Sequence, residues 1–174
     1  MTQSMMQQKL KYLIRYTSMA FSNEERVLGV IPNVKSGVFG QKGYNIVVTD
    51  TRIVIAQLTS GMIREEAKRI ARESKEKGEG RLKRMAATMM AGMNLHRRYL
   101  SMPVAGIIVE TNGNFTIESN QIESIKIKAD FSDDKTGHEL RKKWTGGKTT
   151  FHFSDIGPKD AKSLLKQTFG NLVK

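Results

Sequence analysis

The chain has no cysteine among its 174 residues, which excludes disulfides and thiolate metal sites. It has no apolar run approaching the about 20 residues that a membrane-spanning helix needs. Its first residues, Met1 to Gln8, lack the charged stretch and apolar core of a secretory leader. There is no internal repeat, no low-complexity tract, and a single tryptophan. These absences predict a soluble, cytoplasmic protein, with any membrane association confined to the bilayer surface. The length suits one domain plus an insertion, with a core that needs no staples.

Catalytic and ligand motifs are scarce as well. Ser36-Gly-Val-Phe-Gly-Gln-Lys-Gly43 lacks the spacing and the Gly-Lys-Ser/Thr ending of a phosphate-binding P-loop, and it lies between strands. It reads as a flexible hairpin loop. The histidines, His96, His138 and His152, are far apart, and Asp130 to Gly137 lacks the closing glutamate of a calcium loop. No Gly-x-Ser-x-Gly elbow is present. The expectation is a non-enzyme with no metal and no cofactor.

What the chain has is positive charge and β-branched residues. The net charge is +12, a field that attracts anionic partners: an acidic protein, an anionic membrane or nucleic acid. Tyr44 to Ala56 holds two β-branched runs around Asp50-Thr51, which predicts a tight β-hairpin. Glu25 to Ile31 reads as a strand before it, with a glycine-bearing loop from Asn33 to Gly43 between. Residues 4–21 read as a helix, followed by a capping box at Ser22-Asn-Glu-Glu25.

Further along, Gly61 to Lys77 and Arg81 to Leu100 read as two helices around Gly78-Glu-Gly80, with Pro103 as the stop. Strands are then expected over Val104–Glu110 and Asn114–Glu118, joined by a turn at Asn112-Gly113. Ile122 to Lys128, Glu139 to Thr145 and Lys148 to Ser154 also read as strands, the last two around Gly146-Gly147. Gly157-Pro158 opens a terminal helix with Ala161, Leu164, Leu165, Phe169 and Leu172 as its apolar stripe.

Four features in this order carry a family resemblance. They are Glu24-Glu25-Arg-Val before the first strand, Thr49-Asp-Thr-Arg52 at the hairpin, Phe115 to Ile125 with its Ile-Glu-Ser-Ile ending, and Phe151-x-Phe153 before the last helix. Together they resemble GRAM-like and pleckstrin-homology-like (PH-like) domains of the bacterial or archaeal type, over about residues 24–58 and 114–174. The resemblance implies an α+β fold, an antiparallel β-barrel or sandwich capped by a C-terminal helix. An N-terminal helical extension (1–22) and a two-helix insertion (59–102) would be additions to a PH-like domain made of 23–58 and 103–174. It also implies a binding module working through protein contacts or oligomerisation. Lipid binding in such domains uses basic residues of the first hairpin loop, here Lys35 and Lys42, without the basic-x-basic element that strengthens such a site.

The insertion is the expected interaction element. Met85 to Leu95 carries no charge, and Leu82, Met85, Met89, Met93 and His96 fall along one helical stripe that Met90 widens. Methionine suits adaptable apolar contacts. Arg81, Lys83 and Arg84 precede the run, and Arg97 and Arg98 follow it. The facing helix offers Ile63, Ala67, Ile70 and Ala71, a thin cover for four methionines. The reading is therefore a protein partner or a second copy docked on Met85, Met89, Met90 and Met93, oriented by those five cations. Attachment to an anionic membrane ranks second. Nucleic acid ranks third, and its other basic group is Arg141-Lys142-Lys143 beside Trp144. Part of the insertion's charge is expected to sit in i,i+4 pairs such as Glu65 with Arg69.

Overall fold

The computed structural model describes residues 25–36, 42–130, 137–144 and 147–174. The helix expected over 4–21, most of the capping box after it, the glycine loop over 37–41 and the polar loop after Asp130 lie outside these residues. The fold is α+β. Seven antiparallel strands, β1 (Val27–Ser36), β2 (Lys42–Thr49), β3 (Arg52–Leu58), β4 (Phe115–Glu118), β5 (Ile122–Asp130), β6 (Gly137–Trp144) and β7 (Gly147–Phe153), form one sheet in the order β4-β3-β2-β1-β7-β6-β5. Between β3 and β4 lie helices α1 (Ser60–Glu76), α2 (Arg81–Met89) and α3 (Ala91–Asn94), a 3-10 turn (Leu95–Leu100), and α4 (Val104–Val109). Helix α5 (Pro158–Phe169) follows β7.

The hairpin at Asp50-Thr51 forms as expected, with Val48 opposite Ile53 and Ile46 opposite Ile55. The first strand runs on to Ser36, further than its apolar pattern suggested. Register shifts at Val27/Gly29 and Ile31/Val34 bulge it. Asn33, in the second bulge, has a φ of 50° and is the one non-glycine residue among those described with positive φ. Beyond it, Lys35 pairs with His152 of β7, so β1 joins the two halves of the sheet.

The sheet curls. Ile53, Ile55 and Ile117 from one end share a buried cluster with Ile122 and Ile125 from the other, and Ala161, Leu165 and Phe169 of α5 fill it. Leu164 and Leu172 pack at its margin. Gly157 and Pro158 start the helix where the sequence placed them. The chain end then returns to the sheet, where the Lys174 N–H donates to the Ile125 carbonyl at 2.8 Å.

The other face of β2 and β3 is covered too. Val47, Val54 and Ala56 are buried there against Tyr99, Val104 and Ile107. This explains why Ile46-Val47-Val48 and Ile53-Val54-Ile55 are continuous apolar runs and do not alternate.

Here the structure corrects the sequence reading: Val104–Val109 is a helix, not a strand. Its Val104 and Ile107, three apart, both turn onto the sheet. The Pro103 carbonyl accepts the N–H groups of Gly106 and Ile107. Burial on this face overrides the β propensity of Val and Ile. Asn112-Gly113 is consequently no hairpin turn, since β4 pairs with β3. Asn114 joins the two elements instead. Its Nδ2 donates to the Ile107 carbonyl at 2.6 Å, and its Oδ1 accepts the Gln57 N–H at 2.7 Å.

Candidate interaction surface

Helix α1 starts at Thr59, whose hydroxyl accepts the Met62 N–H at 3.2 Å. It stops at Gly78, whose φ of +69° lets the Glu79 N–H return to the Ser74 carbonyl. The charges of α1 pair differently from expectation. Glu65 takes Lys68 at 2.8 Å, and Arg69 spans Glu66 and Glu73. Residues three and four apart are both neighbours on a helix, and the planar guanidinium can serve two carboxylates. The Arg69 hydrogen bonds hold the Glu66 carboxyl below its ordinary range against the opposing effect of burial.

The segment expected as one helix from Arg81 breaks at Met90. Helix α3 and the 3-10 turn follow, so the stripe through Met93 and His96 is not continuous on one helix. The Met93 carbonyl accepts the Asn33 side-chain amide at 3.3 Å and lies 2.9 Å from His96 Nδ1, which must be the protonated nitrogen to donate there. The same Asn33 amide reaches Asp155 at 2.5 Å. The left-handed residue of the bulge therefore fastens the insertion to the sheet and to the segment before α5. Leu95 and Tyr99, both buried, anchor it further.

Against this anchored end, α2 has an inverted burial pattern. Residues step about 100° around a helix, which places Leu82, Met85, Ala86 and Met89 on one arc. That arc is exposed: Leu82 to 85% and Met89 to 75%. Arg84, Ala87 and Thr88 lie on the opposite arc and are half-buried. Ala91, past the break, is fully buried. At Gly92 of α3 an added methyl would meet Ile63 of α1 at 3.5 Å, an ordinary contact distance. The half-buried side of α2 holds Ala87 and Thr88, and the methionines are left outside. Met90 and Met93 are exposed as well.

The cations divide by role. Arg81 and Lys83 are exposed and fall on the two edges of the α2 arc. Lys83 also binds Glu79 at 2.7 Å, which lowers the Glu79 pKa. Arg97 is exposed beyond the break. Arg98 is bound to Glu110, whose second oxygen accepts the Tyr99 hydroxyl at 2.8 Å. Burial, and then this hydrogen bond, push the Tyr99 pKa up. Lys35 and Lys42 are exposed on the first hairpin, but the register sets Lys35 opposite Gly43 and Lys42 opposite Ser36. Adjacent positions of a strand pair face opposite sides, so the two lysines do not converge. Arg141 to Trp144 lie on β6.

Three fragments of the sequence resemblance meet in one network that sequence reasoning did not assemble. Arg52 binds Glu25 through Nε at 2.9 Å and Nη2 at 2.6 Å, and Glu118 through Nη1 at 2.9 Å. The Thr49 and Thr51 hydroxyls donate to Glu25 at 2.5 and 2.7 Å. Thr49 Oγ1 in turn accepts the Arg52 N–H at 3.0 Å, closing the turn. Burial raises the Glu25 pKa, but bonds from Arg52, Thr49 and Thr51 outweigh it and hold the carboxyl below its ordinary range. The Glu25 bond raises the Arg52 pKa. The network borders a cleft of about 730 Å³ that also touches Val27, Met102, Val104 and Ile108. Its Arg52 is already committed to two carboxylates, so the cleft is a weaker candidate than the methionine face.

No protein-family model matches the chain, and no curated protein matches it in sequence. Among solved structures it is similar to the hSac2 domain from human phosphoinositide phosphatase Sac2, with a TM-score of 0.41 and 9% identity, covering 99% of this chain and 88% of that one. A likeness of this degree leaves fold and function to rest on the chain's own geometry. None of the described helices is long and apolar enough to cross a membrane.

Proposed function

We propose that this chain is a non-enzymatic, PH-like binding module whose helical insertion is its contact element. The observation that carries the reading is the inversion of α2. Its Ala87 and Thr88 are half-buried against the body of the protein, while Leu82, Met85 and Met89 face out. Burying one such side chain contributes about 1.5–3 kcal/mol, so a face of three or more favours association. The PH-like order of the sequence elements supports a binding role, and the ties from Asn33, Leu95 and Tyr99 supply a firm base for the face.

A photo-crosslinking side chain placed at Met89 in cells tests the reading. Discrete adducts are expected that disappear when Met85 is changed to Glu, with none from the same group placed at exposed Gln167 on α5. Equal labelling from both positions would defeat it.

A second reading, peripheral attachment to an anionic bilayer, is favoured by the exposed Arg81 at the edge of the apolar arc and by the exposed Arg97 beyond the break. Co-sedimentation with anionic vesicles, weakening as salt rises, is its signature. Nucleic-acid binding has less support, since the arc carries no aromatic residue on which a base could stack.

A further inference from the structure

We infer that the partner of the methionine face is an acidic amphipathic protein segment, with apolar residues along one side and Asp or Glu beside them. This rests on the proposed role of that face and adds the chemistry of its occupant. From Arg81 to Val109 the chain has no acidic residue, while Arg81, Lys83, Arg84, Arg97 and Arg98 are all cationic. Among the described residues, no carboxylate pairs with Arg81, Arg84 or Arg97. The α2 arc therefore has an apolar centre with the unpaired Arg81 along one edge and Lys83, already bound to Glu79, along the other.

Charge complementarity selects the occupant. A second copy docked symmetrically would bring the same cationic edges together, so the surface is poorly matched to itself. An acidic segment places a carboxylate where the unpaired Arg81 stands, with Lys83 adding to the positive field on the far edge. Size and side-chain type separate a protein segment from a lipid surface. Helix α2 has nine residues, about 13 Å of length, which suits two or three turns of a partner helix. Interfacial membrane helices rely on Trp, Phe and Leu, whereas this arc has one leucine and two methionines, and methionine adapts to varied apolar side chains.

The test is a calorimetric titration of the whole chain with three synthetic helical peptides. One has a leucine face flanked by glutamates, the second has lysines for those glutamates, and the third keeps the glutamates but has serines for the leucines. The first peptide is expected to bind, more weakly at high salt, and the other two are not. Arg81→Glu should weaken the first peptide about tenfold while the circular-dichroism spectrum stays unchanged, and Arg81→Gln should fall between. Met89→Glu should abolish binding. Equal binding of the first two peptides would overturn the acidic preference yet leave the contact face standing. So would a Met89-dependent dimer in light scattering, or Met89-dependent sedimentation with anionic vesicles without peptide binding. If no peptide binds, no vesicle sediments and the chain is monomeric, both the inference and the contact face fall.

Discussion

Arg52 grips Glu25 with two of its nitrogens, Nε 2.9 Å from Oε1 and Nη2 2.6 Å from Oε2, across 27 positions of chain. The pair ties the residues just before β1 to the β2–β3 turn. Only 14% of the Glu25 side chain and 28% of the Arg52 side chain reach solvent, so salt screens the pair less than it would a surface bridge.

Glu25→Gln should therefore destabilise the fold by about 1.5–3 kcal/mol at neutral pH, the range for hydrogen bonds to charged groups. The pH dependence has a definite sign. The folded pKa of Glu25 is depressed, so its contribution is full above the unfolded value of about 4.3 and is lost as pH falls through the folded value. Urea midpoints of both proteins should differ clearly at neutral pH and converge in acid. A constant gap would show that the carboxylate charge is not what stabilises the pair.

Tyr99→Phe should cost about 1–2 kcal/mol, because it removes a buried hydroxyl bonded to Glu110 and leaves that carboxylate with Arg98 alone. Thermal denaturation reads the loss. Tyr99→Ala should cost more, about 3–5 kcal/mol, by emptying the outer core beneath the insertion.

Leu165→Ala and Phe169→Ala should each cost about 2–5 kcal/mol, since both side chains are buried in the core inside the curled sheet. Melting curves matching the parent in both variants would mean that α5 does not close that core.

Asn33→Ala should loosen the insertion without unfolding the sheet. It deletes the bonds to the Met93 carbonyl and to Asp155 and forces a side chain poorly suited to positive φ into the bulge. Amide exchange should speed up over residues 91–100 more than over β2 and β3. Uniform acceleration would instead place Asn33 in the global core.

The sequence by itself determined the elements whose signals are local. The Asp50-Thr51 hairpin, the break at Gly78, the strands around Gly147 and the Gly157-Pro158 helix start each depend on residues that are neighbours in the chain, and each stands where the pattern put it. It also marked Leu82, Met85 and Met89 as one arc, because a helix fixes that relation within nine residues. Only the tertiary structure decided which way the arc points. Ala87 is half-buried and Ala91 fully buried against the rest of the fold, and the methionines are left in solvent. The same holds for Val104–Val109. Its Val and Ile favour a strand in isolation, but the outer face of β2 and β3 offers Val47, Val54 and Ala56 as a surface to cover, and a helix with Val104 and Ile107 three apart covers it. Arg52, Glu25 and Glu118 likewise meet only through strand pairing, which joins residues far apart in sequence and leaves no trace in local spacing.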